Sequence, residues 1–130
     1  MLFKDFSHHG DVAHFLLRLV VAAVFLHHGL QKWPLWGAMP SQMSPTMFMI
    51  LRMLSIAEPL AALSLILGLL MRVGTIGLML VMVSALTMKL SAGLPMNMWE
   101  IELLLLTANI VLFIEGPGKF SLDAQMTKKG

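Results

Sequence analysis

The sequence predicts an all-α integral membrane protein, a four-helix bundle with both termini in the cytoplasm. The chain has 130 residues, 58% hydrophobic and 12% charged, which is too apolar for an ordinary soluble domain. Its hydrophobic residues fall in four long stretches, each close to the roughly 20 residues that cross a bilayer. The connections between them leave no room for a second domain, so residues 1–130 read as a single membrane domain.

The first helix is expected over about 12–32. It ends at Trp33-Pro34, because the residue before proline avoids the helical region. Residues 33–46 form a loop rich in Pro, Gly and Ser, with Trp33 and Trp36 suited to a membrane–water boundary. The second helix is expected over about 46–70. Pro59 within it frees a carbonyl and permits a kink, and Ala57, Ala61, Ser64 and Gly68 let another helix come close. Met71-Arg72 leaves almost no loop before the third helix, about 73–91, so these two form an antiparallel hairpin. Gly93 and Pro95 make the next turn. The fourth helix, about 97–115, leads into a polar turn and a short tail. With four spans, Lys4, Arg72, Lys119, Lys128 and Lys129 share one side, against Lys32 and Lys89 on the other. That excess assigns the termini to the cytoplasm.

Composition also excludes functions. A net charge of +2 without a basic run points away from nucleic acid. The chain has no cysteine, so thiol–disulfide exchange and thiolate metal sites are excluded within it. The N-terminus is unlike a cleaved signal peptide, because Arg18 interrupts the first apolar stretch and the small-residue cleavage pattern is missing. His8 and His9, adjacent and without further ligands, read as solvated.

The stretch from Arg18 to Lys32, RLVVAAVFLHHGLQK, organises the functional reading. Ionisable groups within a span are costly and mark a partner or a wet cavity. Counted at about 1.5 Å per residue from each helix end, His27, His28, Arg52, Glu100 and Glu102 fall at similar depths, with Lys32 and Lys89 nearby. One polar layer near the outer face is therefore expected. Its charges nearly balance, which fits a salt-bridge layer that only holds helices together. It equally fits a polar pocket in which His27 or His28 carries a proton or binds a ligand, with Lys32, Arg52, Lys89, Glu100 and Glu102 lining it. By the same count Arg18 and Glu58 form an ion pair bracing the first two helices, and Arg72 and Asp123 pair to fold the tail under the bundle.

The 13 methionines read first as flexible core residues. Thioethers also bind Cu(I), so Met39, Met43 and Met47 with His27 or His28 form an alternative copper site.

Several motifs in order resemble the DoxX family of small bacterial membrane proteins. They are Arg18 with Gly29-x-x-Lys32, Glu58, Leu67-Gly68-Leu69 with Arg72, and the closing run Gly116-Pro117-Gly118-Lys119-Phe120-Ser121-Leu122-Asp123. The resemblance implies a multi-pass protein of the bacterial inner membrane. The family takes its name from a subunit of a thiosulfate:quinone oxidoreductase, and other members are linked to redox assemblies. A redox-associated subunit binding a quinone or another lipid-soluble small molecule is therefore the leading expectation. It needs a redox partner subunit, since the chain offers proton carriers but no electron carrier. The resemblance also touches relatives that accompany makers of copper-binding peptides. A non-catalytic assembly module, self-associating through small-residue faces, is the remaining alternative.

Overall fold

The computed structural model describes residues 10–129. Lys4, His8, His9 and the side chains of Lys128 and Lys129 lie outside what is described. Five helices form in order: α1 (Gly10–Leu30), α2 (Pro45–Leu67), α3 (Met71–Ser91), α4 (Glu100–Glu115) and a short α5 (Leu122–Lys129). Single 3₁₀ turns at Trp33–Trp36 and Met96–Met98 precede α2 and α4. Among the described residues there is no strand.

The distribution of polarity is that of a membrane protein. Val20, Met53, Leu60, Val73, Leu104 and Ile114 are 61–69% exposed, whereas Arg18, Glu58 and Glu102 are 1%, 2% and 7% exposed. Helices that are apolar all round, with their charges turned inward, suit a hydrocarbon solvent. α1, α2 and α3 are each long and apolar enough to cross a membrane. α4 has 16 residues, about 24 Å at the helical rise, and packs along α3.

Packing is closest within two helix pairs, α1–α2 and α3–α4. The core runs between them through Val21, Ala22, Phe25, Ala62, Leu65, Leu78, Leu105 and Leu112. The start of α1, the α2–α3 turn and the end of α4 meet at one end of the bundle. The end of α1, the start of α4 and the end of α3 lie at the other.

α2 begins with Ser44, whose Oγ accepts from the Met47 N–H at 3.2 Å, followed by Pro45 in the first turn; both are favoured at a helix start. It stops three residues before the hydropathy ends, because Gly68 turns left-handed at φ +67° and closes the helix onto Ser64 O. Leu70 is also left-handed, at φ +50°, a conformation costly for a side chain with a Cβ. The Asp123 carboxylate holds it there, accepting from Leu70 N–H at 3.0 Å and Met71 N–H at 3.1 Å.

This corrects the expected Arg72–Asp123 pair. The first N–H groups of α3 have no helical partners and carry partial positive charge, so they take the carboxylate. Arg72 instead donates from Nε to Phe113 O at 3.3 Å.

The expected Arg18–Glu58 pair is also overturned. Arg18 donates to Pro117 O and Phe120 O, each at 2.6 Å, and to Ile66 O at 3.3 Å. Its guanidinium also lies 5.0 Å from the Phe15 ring centroid. The cause is helix register. α2 does not start level with the end of α1: Gly29 packs directly on Pro59, where an added Cβ would lie 2.4 Å from Pro59 Cδ. The first part of α2 therefore overhangs α1 by about 20 Å along its axis. Glu58 comes level with Lys32, and Arg18 comes level with the free carbonyls at the end of α2.

Candidate functional site

Pro59 has no N–H to give the carbonyl of Ser55, one turn earlier. The Trp33 indole replaces it, donating to Ser55 O at 2.9 Å, while Trp36 Nε1 donates to Ser55 Oγ at 2.8 Å. The loop after α1 is thereby fastened over the overhanging part of α2. Arg52 belongs to this cap: its guanidinium stacks 4.0 Å from the Trp36 ring centroid and 5.2 Å from that of Phe48.

The cap brings Lys32 back onto α2. Its Nζ donates to Glu58 Oε2 at 2.7 Å and to His28 O at 3.1 Å. In the other helix pair, Lys89 Nζ bonds Glu102 Oε1 and also donates to Met98 O at 2.8 Å. Each helix pair thus carries one ion pair on its inner side.

Between the two ion pairs lies a cavity of about 450 Å³, within the range of small-molecule sites. Lys32, Glu58, Lys89 and Glu102 line it together with His28. Its walls include Leu51, Leu54 and Val81. Ile50, Leu80, Ser84 and Met88 also line it and are themselves exposed, so the cavity opens sideways between α2 and α3, toward the surrounding lipid.

The polar end is electrically balanced, with two ammonium groups facing two carboxylates. One acceptor is left over. Glu102 Oε2 is buried and has no hydrogen-bond partner among the described residues, a costly arrangement unless something donates to it.

Several expected site residues fall elsewhere. His27 is exposed, with its Nε2 3.0 Å from Gln31 Nε2. Glu100 is exposed at the start of α4. Neither they nor Arg52 line the cavity. Of Met39, Met43 and Met47, only Met47 lines it. Met82, Ser84 and Met88 line the cavity without being among the expected site residues, although Val81, Ser84, Ala85 and Met88 recur at helical spacing on one face of α3. Glu58, expected as a brace to Arg18, lines the cavity instead.

The family model described as DoxX matches residues 13–90, from the start of α1 almost to the end of α3. The match takes in His28, Lys32, Glu58 and Lys89 and stops before α4. No curated protein and no solved structure matches the chain. With more than half of its length matched, and with the apolar helices of a membrane bundle, this chain belongs to the DoxX family.

Proposed function

We propose that the cavity binds a quinone, and that the protein serves as a membrane subunit of a redox assembly in the bacterial inner membrane. The observation that carries this is the polar end of the cavity. Two ion pairs and His28 stand at the head of an apolar chamber open to lipid, with a buried acceptor unused on Glu102. A charged ligand would have to break one of the pairs, whereas a neutral ligand keeps both.

A quinone fits in both redox forms. Quinone oxygens only accept hydrogen bonds, and Lys32, Lys89 and the His28 ring supply donors. Quinol hydroxyls donate, and Glu102 Oε2 supplies the acceptor. When bound, a quinone supplies two-electron, two-proton chemistry. Glu102 and His28 then serve as proton acceptors on this chain, and a partner subunit carries the electrons. The end bearing Arg72 and Lys119 faces the cytoplasm, with α4 as the fourth span.

The test is titration of the lipid-reconstituted protein with a tailless dimethoxy-methyl-benzoquinone, read by quenching of tryptophan fluorescence. Wild type should quench saturably. His28→Ala should weaken binding about five- to tenfold, the loss of one hydrogen bond, and His27→Ala should leave it unchanged. Unsaturable quenching in wild type, or equal binding by wild type and a folded His28→Ala variant, would refute the proposal.

A further inference from the structure

We infer that the seam between α2 and α3 below the cavity holds the hydrocarbon tail of the same ligand, making this a site for a long-tailed quinone. This rests on the proposed headgroup site. A second hollow, a groove of about 500 Å³, runs along the seam, lined by Ala57, Ala61, Ser64, Gly74 and Gly77 among others. It is walled almost entirely by apolar atoms and faces outward through Leu60, Leu63 and Val73, all exposed.

The groove and the cavity follow one line. On α2, Leu54 and Glu58 line the cavity while Ala57 and Ala61 line the groove, so adjacent turns serve both. On α3, Leu80 and Val81 line the cavity while Gly77, one turn away, lines the groove. The two helices diverge along this line. At Gly74 they touch: an added Cβ would sit 2.8 Å from Ser64 Oγ. At Gly77 an added Cβ would meet nothing within 4 Å. One turn further on, the seam has widened into the cavity. The result is a wedge, narrowest where Gly74 meets Ser64, about 10 Å along α3 from Val81, and open at the headgroup end; a shallower part of the groove continues past Gly74 to Leu67 and Leu70.

A hydrocarbon chain suits this wedge better than a helix from a second copy. The wedge is internal to one hairpin, and a helix laid along it would close the sideways opening through which the cavity meets lipid. Bilayer lipid is as apolar as the groove, so close contact rather than the hydrophobic effect holds a tail there. Contact along the line needs small residues, and Ala57, Ala61, Gly74 and Gly77 provide them. The head of the line is the polar end of the cavity, where the buried Glu102 Oε2 has no partner among the described residues.

Gly77→Phe isolates this step. An added Cβ at position 77 meets nothing within 4 Å and glycine is the weaker helix former, so a phenylalanine there starts from open space and projects its ring into the groove. The tailless benzoquinone and its decyl-tailed analogue are titrated into wild type and Gly77→Phe, each in the same nanodiscs. The decyl analogue should bind the variant about tenfold more weakly, from the loss of about ten atomic contacts, while the tailless probe binds both proteins alike. Failure of the tailless probe to bind wild type would remove the headgroup proposal and this one with it. Tailless binding with no selective loss of the decyl analogue, whether both probes are unaffected or both weakened equally, would overturn the tail assignment alone. An altered oligomer mass for the variant by native mass spectrometry would assign the groove to a second copy and also overturn it.

Discussion

Replacing Lys32 with methionine should destabilise the bundle by about 3–5 kcal/mol, the typical cost of removing one partner of a buried ion pair. Glu58 is 2% exposed on its side chain and Lys32 is 20% exposed, at 2.7 Å from each other. At an effective dielectric of about 20, the direct attraction at that distance is about 6 kcal/mol. Much of it offsets the desolvation of both charges, so the intact pair contributes far less than that figure. Its loss is nevertheless severe in Lys32→Met, because the Glu58 carboxylate is buried and is left without its cation. Glu58→Leu should cost less, about 1–2 kcal/mol, since Lys32 keeps its bond to His28 O and its long stem can carry the charge outward. The double variant should recover about 2–3 kcal/mol relative to the sum of the singles. Equilibrium unfolding in mixed micelles, followed by helical circular dichroism, measures all four proteins. Strict additivity, or a Lys32→Met cost below about 1 kcal/mol, would refute the pair as a buried, energetically coupled contact between α1 and α2.

Two further outcomes follow from the packing. Trp33→Phe keeps the aromatic ring but strands Ser55 O beside Pro59, and should cost about 1–3 kcal/mol in the same assay; pairing it with Pro59→Ala, which restores the helical N–H, should recover most of the loss. Arg18→Lys keeps the charge but cannot span the carbonyls of Ile66, Pro117 and Phe120 together, so it should cost about 2–3 kcal/mol and speed proteolysis at Lys119.

Much of the bundle was legible because lipid demands apolar stretches of a set length, and Pro34, Gly68, Gly93 and Pro95 punctuate them. Lys32, Lys89, Glu102 and His28 could be placed in one layer because each lies near a helix end that the connections bring together. Their depths were counted from those ends, and that count fails where one helix overhangs another. Gly29 against Pro59 sets the α1–α2 register, and two residues from different helices reveal such a contact only after folding. The same slip carried Arg52 out of the layer and exchanged the partner of Glu58. Asp123 was read by charge alone, toward Arg72, whereas the uncapped N-terminus of α3 is created by the tight turn itself. His27 and His28 are neighbours in sequence, about 100° apart around α1, so one can line the cavity while the other faces away.

Arg18 also sets a schedule for biogenesis. Two of its three acceptors, Pro117 and Phe120, lie 99 and 102 residues downstream. At the usual rates of protein synthesis that is a delay of about 5–20 s. For that interval α1 carries a cation whose final partners have not been made. It must wait at the translocon or reach for the water interface, as lone membrane arginines do. Commitment of the first helix to its final depth therefore depends on a segment synthesised long after it. A nascent chain interrupted before Pro117 would keep an exposed charge in its first span, a defect that membrane quality control can recognise.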